Sequence, residues 1–182
     1  SSDALHSAEA AKVFIQNMQS AGVSATAKHF PGHSRHDIDP HHDTVTVDLS
    51  SEEITRTLLP PFRQAITAGV HCIMAAHSTF TKVDANAPAS ISSIIVPKFL
   101  RRKLGFSGVV ITDDLCMAAI QSIVDYKTAV AGATNGDIDL MLVVHSIEAQ
   151  FETYEALIHQ EEQNLEKTFP SSQRLNALKL KT

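Results

Sequence analysis

The sequence predicts an α/β fold built on a parallel β-sheet, and three features support this class. Apolar runs that suit buried strands occur at residues 23–28, 70–76, 108–112 and 138–144. Segments with helical periodicity separate these runs, so strands and helices alternate along the chain. A histidine or an aspartate stands at the carboxyl end of each strand. Parallel sheets with right-handed crossovers place their functional sites at this edge.

The helical segments carry residues that start and stop helices. Serine or aspartate near the start and acidic residues in the first turn favour helix formation after residues 2 and 50. Pro97 lies early in its segment, where proline is tolerated. Gly69 and Gly105 act as stops. Helices are therefore predicted at about residues 2–20, 51–68, 93–104, 117–135 (as one helix or two), 147–167 and 171–179.

Four strands are half of an eight-stranded barrel. A complete (β/α)8 TIM barrel usually takes about 250 residues, and this chain has 182. We therefore expect one partial TIM-barrel domain over residues 1–182 that covers the second half of a barrel, with the first strands absent. A small open four-stranded α/β domain is the alternative.

Composition narrows the classes of function. The chain is 43% hydrophobic and 19% charged, which is typical of a globular protein with a core. Its formal net charge of −5 disfavours binding to nucleic acid through phosphate contacts. No apolar run approaches the ~18 residues of a membrane span. Cys72 and Cys116 lack the spacing of a redox or metal pair. Two free thiols weakly favour a reducing compartment such as the cytoplasm, and the compartment is otherwise left open.

Histidine and aspartate are most concentrated in residues 28–43, which hold five of the ten histidines and three aspartates. Asp113 and Asp114 follow a later strand. A histidine titrates near neutral pH and can shuttle a proton, and a carboxylate fixed at a strand end can act as a nucleophile. The two regions together predict an enzyme active site.

A metal site is the rival interpretation of the histidine-rich segment. Its possible ligands are His33, His36, Asp37, Asp39, His41, His42 and Asp43. Zinc prefers a few fixed ligands, and a loop around Pro40 offers no preorganised geometry. No functional metal and no other cofactor is therefore expected.

Several long motifs, in order, resemble the bacterial β-N-acetylglucosaminidases of glycoside hydrolase family 3. They are Lys-His-Phe-Pro-Gly-His at 28–33, Asp-x-His at 39–41 and Ile-Thr-Asp-Asp-Leu-x-Met at 111–117. Met-Ala-Ala-His at 74–77 and Pro-Ala-Ser-Ile-Ser at 88–92 resemble the next strand and loop of that family. The resemblance runs from about residue 2 to residue 178 and implies a TIM barrel.

The resemblance also implies an activity and a set of roles. The reaction would be the retaining removal of terminal β-linked N-acetylglucosamine from a glycan or muropeptide, plausibly in peptidoglycan recycling. Asp113 would be the nucleophile that forms a covalent glycosyl-enzyme, with helix capping as its alternative role. His41 would be the acid/base and Asp39 its partner. Lys28 and His29 would bind substrate hydroxyls.

Two further histidines end predicted strands. His77 either lines the pocket or makes a structural hydrogen bond, and His145 is a weaker candidate. Within the histidine-rich segment, His42 is the alternative to His41 as the acid/base.

The chain departs from the family pattern at two positions. Ser34 stands where the family commonly has glycine, and Pro40 stands where it commonly has serine. Because proline fixes φ and removes a backbone N–H, Pro40 is expected to stiffen the loop that carries His41.

A non-catalytic half-barrel, acting as a binding or assembly module, is the second hypothesis for the whole chain. A half-barrel leaves strand edges and apolar helix faces uncovered. We therefore expect a homo-oligomer or a second chain that completes the barrel. Phosphorolysis is a minor alternative to hydrolysis, because a histidine acid/base repels a phosphate acceptor less than a carboxylate does.

Overall fold

The computed structural model describes residues 4–32, 45–163 and 170–181, and its centre is a parallel sheet. The strands are β1 (Thr26–Phe30), β2 (Thr46–Val47), β3 (Cys72–Ala75), β4 (Thr79–Phe80), β5 (Asp84–Pro88), β6 (Val109–Asp114) and β7 (Leu140–Leu142). Four of them form the main sheet in the order β1-β3-β6-β7, and every neighbouring pair is parallel. The predicted α/β class and its four principal strands are confirmed.

Helices connect these strands and cover the sheet. They are α1 (Ala4–Ser20), α2 (Ser51–Glu53), α3 (Leu59–Thr67), α4 (Ala118–Gln121), α5 (Tyr126–Asn135), α6 (Ile147–Gln163) and α7 (Pro170–Lys179), with π-helical segments at Ile54–Leu58 and Val96–Lys103. Gly69 and Gly105 end two of these segments at φ +83° and +68°, a backbone region that favours glycine. Among the helices of the described residues, none is long and apolar enough to cross a membrane.

The helix predicted over residues 51–68 forms as three consecutive segments, and a capping box starts it. The Glu53 amide donates to the Ser50 hydroxyl at 3.3 Å, and the Ser50 amide donates to the Glu53 carboxylate at 2.8 Å. Such a box satisfies two amides that a helix start leaves without partners.

The first strand lies later than predicted. Val23 is half exposed, whereas Phe30 is fully buried and packs edge-on against Phe62 with ring centroids 5.1 Å apart. Burial of a phenylalanine contributes about 1.5–3 kcal/mol, so Phe30 fixes the strand. The shift brings His29 into the strand itself.

A second, three-stranded sheet in the order β2-β4-β5 was not predicted. The Thr79 amide donates to the Val45 carbonyl at 2.9 Å, and the Thr81 amide donates to the Val47 carbonyl at 3.1 Å. β2 and β4 have two residues each, which is too short to produce a periodic sequence signal, and β5 contains no apolar run. This sheet fastens the chain that follows residue 44 to the carboxyl end of β3.

Both sides of the main sheet are open. Within the described residues β1 and β7 are edge strands, and apolar side chains lie exposed on the helices beside them. On α1, Val13 and Phe14 are 50% and 66% exposed. On α6, one face is exposed at Ile147, Phe151, Tyr154 and Ile158, while Ala149, Thr153 and Ala156 are buried. An uncovered apolar face at each side of a four-stranded sheet is the geometry of a partial barrel.

Candidate active site

Titratable side chains from four strands lie at the carboxyl end of the main sheet. His29 is in β1, His77 follows β3, Asp113 and Asp114 end β6, and His145 follows β7. Because the strands are parallel, their carboxyl ends share one edge, and this is where α/β sheets place their active sites.

β-Bulges occur at two of these strand ends. Residues 27–30 of β1 lie opposite residues 73–75 of β3, so β1 holds an extra residue at Lys28 and His29. Residues 111–114 of β6 lie opposite residues 140–142 of β7, so β6 holds an extra residue at Thr112 and Asp113. A bulge re-aims side chains, and bulges are common next to active sites.

The Asp113 carboxylate faces His29 across the edge of the sheet. His29 Nε2 lies 3.5 Å from Asp113 Oδ2, and the two side chains are 28% and 20% exposed. The Asp114 amide donates to Asp113 Oδ1 at 2.9 Å. The two oxygens of Asp113 therefore have different neighbours, and the carboxylate remains accessible from the edge.

Asp114 is buried and held by groups from two loops. Its Oδ1 accepts from the Cys116 amide at 3.1 Å and from the Val144 amide at 3.3 Å, and its Oδ2 contacts His145 Nδ1. Burial alone would raise the pKa of this carboxyl, but these hydrogen bonds and the nearby imidazole lower it below the ordinary value. Asp114 is therefore ionised at neutral pH and has no proton to donate.

The buried ring of His77 uses both nitrogens within the chain. Nδ1 lies 2.6 Å from Ser90 Oγ, and Nε2 lies 3.0 Å from the Asp114 carbonyl oxygen. Burial lowers the pKa of His77, although that carbonyl and the two aspartates favour the charged form. The ring is therefore neutral at neutral pH, and Nε2 carries the proton that the Asp114 carbonyl accepts. The predicted role of His77 in substrate binding stays a prediction.

Lys28 is exposed beside a cavity between α1, β1 and the helical residues 57–65. This cavity has a volume of about 770 Å³, and His29, Phe14 and Leu58 also line it. A single amine and imidazole in a largely apolar recess can bind the hydroxyls of a small polar ligand. The predicted roles of Lys28 and His29 are untested by this geometry.

His41 and Asp39 lie outside the described residues, as do all the candidate metal ligands of residues 33–43. Both flanking residues are placed: Gly32 lines the cavity beside Lys28, and the Val45 carbonyl accepts from Thr79 next to His77. Within the described ranges, no group of three or more His, Cys, Asp or Glu side chains could hold a metal ion.

Sequence reasoning missed the contacts that join Asp114, His145 and Ser90 to the rest of this edge. Asp114 was predicted only as part of the acidic pair after a strand, and Ser90 only as part of a motif. One signal was available: Asp114 and His145 follow adjacent strands, so their side chains could meet at the shared edge. Nothing in the sequence indicates that Ser90 reaches His77 across a loop.

The parallel sheet and its polar carboxyl edge place the chain in the class of barrel-type α/β domains. Residues 1–178 match the family model described as the glycosyl hydrolase family 3 N terminal domain. The chain therefore belongs to glycosyl hydrolase family 3. This match confirms the resemblance found in the sequence motifs.

Two curated relatives are β-hexosaminidases from Tolumonas auensis and Histophilus somni (strain 2336). The first is 37% identical over 147 residues, which are 80% of this chain and 44% of the relative. The second is 36% identical over 171 residues, which are 93% of this chain and 48% of the relative. The chain spans about half the length of these relatives.

A solved structure of a glycoside hydrolase family 3 β-N-acetylglucosaminidase from Paenibacillus sp. str. FPU-7 has the same fold. It superposes with a TM-score of 0.88 at 38% sequence identity. The match covers 93% of this chain and 33% of that one.

Proposed function

We propose that this chain carries the catalytic half of a retaining β-N-acetylhexosaminidase, with Asp113 as its nucleophile. The observation that carries the proposal is the Asp113 carboxylate itself. It is partly exposed at the carboxyl edge, aimed by a bulge, and lies 3.5 Å from the imidazole of His29. The names of the relatives, β-hexosaminidase and β-N-acetylglucosaminidase, supply the substrate class.

In the first step, an oxygen of Asp113 attacks the anomeric carbon of the sugar. An ester bond forms as the glycosidic C–O bond breaks, and the leaving oxygen takes a proton from the acid. In the second step, water attacks the same carbon, the acid acts as a base and takes the water proton, and the Asp113 carboxylate leaves. Two displacements retain the configuration at the anomeric carbon.

We assign the acid/base role to His41, with Asp39 as the group that orients it. Asp114 cannot supply the proton because its lowered pKa keeps it ionised. The buried, neutral ring of His77 has both nitrogens committed. Residues 33–44, which contain Asp39 and His41, join Gly32 to Val45, and both of these lie at the edge where Asp113 stands. A histidine on this segment can protonate the leaving oxygen near neutral pH.

Lys28 and His29 would bind hydroxyls of the sugar from the side of β1. Their cavity lies between α1, β1 and the helical residues 57–65, and β1 is an edge strand of the described sheet. His77 would act indirectly, by donating a hydrogen bond to the carbonyl of Asp114, the residue after the nucleophile. The natural substrate would be a glycan or muropeptide with a terminal β-linked N-acetylglucosamine.

We further propose that a complete pocket requires more β/α units at the open sides of the sheet. The exposed apolar faces of α1 and α6 are the surfaces that such units would cover. The units could come from the same polypeptide, from a second chain or from a second copy of this chain. Light scattering at several protein concentrations tests the last of these, because a second copy predicts a dimer.

The test of the function is hydrolysis of p-nitrophenyl N-acetyl-β-glucosaminide by the purified chain and by an Asp113→Asn variant. Removal of a nucleophile is expected to lower kcat/KM by at least about a thousandfold. Asp48→Asn is the matched control, because the Asp48 side chain is 72% exposed and pairs with Lys82 and Thr81. Proton NMR of the first-formed sugar distinguishes retention from inversion.

A non-catalytic binding or assembly module is the second candidate, and the two uncovered apolar faces favour it. A folded wild-type chain without activity would support the module over the enzyme for this chain. Activity that persists in Asp113→Asn would contradict the assignment of the nucleophile.

A further inference from the structure

We infer that Asp114 and His145 are positioning residues, which clamp the loops after β6 and β7 together and thereby hold the Asp113 carboxylate in its attacking direction. This inference rests on the proposed function of Asp113. Neither residue would touch the substrate. Their effect would pass through the backbone amide of Asp114 to the nucleophile.

The first observation is that the Asp114 side chain accepts hydrogen bonds from three donors. The Cys116 amide comes from its own loop, whereas the Val144 amide and His145 Nδ1 come from the loop after the neighbouring strand. The Asp114 side chain is only 7% exposed, while that of His145 is 75% exposed. One buried charge therefore ties two loops at the edge that carries Asp113.

The second observation is that the peptide group between Asp114 and Leu115 is held on both sides. On the side of β3, the Asp114 carbonyl accepts from His77 Nε2 at 3.0 Å. On the side of β7, the Leu115 amide donates to the Leu142 carbonyl at 2.9 Å. The peptide between Asp114 and Leu115, one residue beyond the nucleophile, is thus held from two neighbouring strands, and the Asp114 side chain holds the same residue.

The link to the nucleophile is direct. The Asp114 amide donates to Asp113 Oδ1 at 2.9 Å, so this amide fixes the rotation of the carboxylate and leaves Oδ2 toward His29. A reacting group displaced by about 1 Å can lose on the order of a hundredfold in rate. Loosening of Asp114 should therefore slow the chemical step without removing a substrate contact.

His145 could instead be a second acid near the nucleophile, because its side chain is largely exposed. The contacts of the two carboxylates argue against this role. Asp113 Oδ2 faces His29 of β1, whereas Asp114 Oδ2 contacts His145 after β7, at the opposite edge of the sheet. The two roles predict different results for a substitution at position 145 that keeps a hydrogen-bond donor but removes the titratable ring.

The decisive variants are His145→Asn and His145→Ala, with Asp114→Asn beside them. An asparagine amide can occupy the position of Nδ1 and donate to Asp114, whereas alanine cannot. We expect His145→Ala to lower kcat about tenfold and Asp114→Asn about a hundredfold, both with KM within about twofold. We expect His145→Asn to keep kcat close to the wild-type value.

Loss of activity in His145→Asn to the level of His145→Ala would overturn the inference and favour an acid role. A rise in KM with unchanged kcat would overturn it too, because that result indicates substrate binding. Asp125→Asn is the matched control: Asp125 caps α5 through the Thr128 amide at 2.7 Å and does not contact Asp113 in the described structure. Thermal unfolding establishes that each variant is folded.

A readout without catalysis separates failure of this inference from failure of the proposed function. In ¹H–¹⁵N spectra, the amide signal of Asp114 should move in His145→Ala and stay near its wild-type position in His145→Asn. If the wild-type chain proves inactive, the proposed function fails for this chain and the amide signal alone decides the inference. An unmoved signal in His145→Ala overturns it.

Discussion

The two ends of the same sheet hold charged residues in contrasting ways. At the amino end, Arg101 and Arg174 meet Asp137 and Asp139 in a network of two cations and two anions. At the carboxyl end, Asp113 faces an imidazole at 3.5 Å. The first arrangement neutralises every charge, and the second leaves a carboxylate partly exposed with a titratable neighbour.

The amino-end network links several elements of the fold through hydrogen-bonded charges. The Asp139 side chain is fully buried, and it accepts from Arg101 Nη2, Arg174 Nε and the Val110 amide, each at 2.8 Å. Arg101 also donates to the Gly108 carbonyl at 2.7 Å. The network therefore joins the start of β6, the start of β7, a π-helical segment and α7.

The comparison teaches how to separate structural from functional charge in one fold. A buried charge with a full set of partners cannot take a substrate without breaking them. A partly exposed carboxylate that contacts one backbone amide and an imidazole at 3.5 Å can do so. Asp139 and Asp113 are the same residue type at opposite ends of one sheet, and they differ in burial and in partners.

Among the substitutions that test this contrast, His41→Ala is expected to have the largest effect on the rate of hydrolysis. If His41 is the acid/base, hydrolysis of a substrate with a poor leaving group, such as a disaccharide, should slow by about 10²–10⁴-fold. Hydrolysis of a nitrophenyl glycoside should slow far less in the glycosylation step, because its leaving group needs no proton. Steady-state kinetics on both substrates measures the difference.

His42→Ala is the matched control for that experiment. It changes the adjacent histidine in the same segment. The assignment would be wrong if His42→Ala, and not His41→Ala, showed the dependence on the leaving group. Equal losses on both substrates for His41→Ala would also count against an acid role.

At the other end of the sheet, Asp139→Asn should cost stability and leave catalysis alone. The change removes one charge from a buried network and leaves two arginines with a single carboxylate. Breaking a buried pair in this way usually costs about 3–5 kcal/mol. Urea unfolding measures the loss of unfolding free energy, and kcat per folded molecule should match the wild type.

Asp48→Asn again serves as the control, since it breaks an exposed ion pair with Lys82. The contrast between the two ends of the sheet would fail if Asp139→Asn kept its stability but lost kcat.

The sequence was sufficient for the plan of the fold but not for its exact strand ends. Four apolar runs predicted the four strands of the main sheet, because buried parallel strands are apolar throughout. The bulges at Lys28–His29 and Thr112–Asp113 were not predictable, since an extra residue in one strand is defined only against its partner. These bulges nevertheless decide where His29 and Asp113 point.

The same limit applies to the partners of the candidate site. The sequence identified Asp113 and His29 individually, and the structure brings them within 3.5 Å. It did not reveal the donors on Asp114, because two of them are backbone amides, which any residue type provides. The amino-end network was missed for a related reason: Arg101, whose side chain is 11% exposed, meets aspartates more than 35 residues away in the sequence.

The smallest expected effect compares two histidines at opposite ends of β3. Burial lowers the pKa of His77 at the carboxyl end and of His71 at the amino end, where His71 Nδ1 lies 2.8 Å from Ser24 Oγ. Below about pH 6.5, the ordinary pKa of histidine, the ring binds a proton in the unfolded chain but not in the folded chain. The free energy of unfolding therefore decreases as the pH falls. Each ring therefore contributes full stability above that pH and loses it as the pH drops through the lowered folded value.

His77→Gln should flatten this loss between pH 7 and pH 5, by at most about 1.4 kcal/mol per pH unit. His71→Gln should flatten it less, because His71 is half-buried while His77 is only 4% exposed. Urea unfolding of the wild type and both variants at the two pH values measures the slopes. A larger change for His71→Gln would mean that the amino end, and not the candidate active site, carries the titration that limits stability in acid.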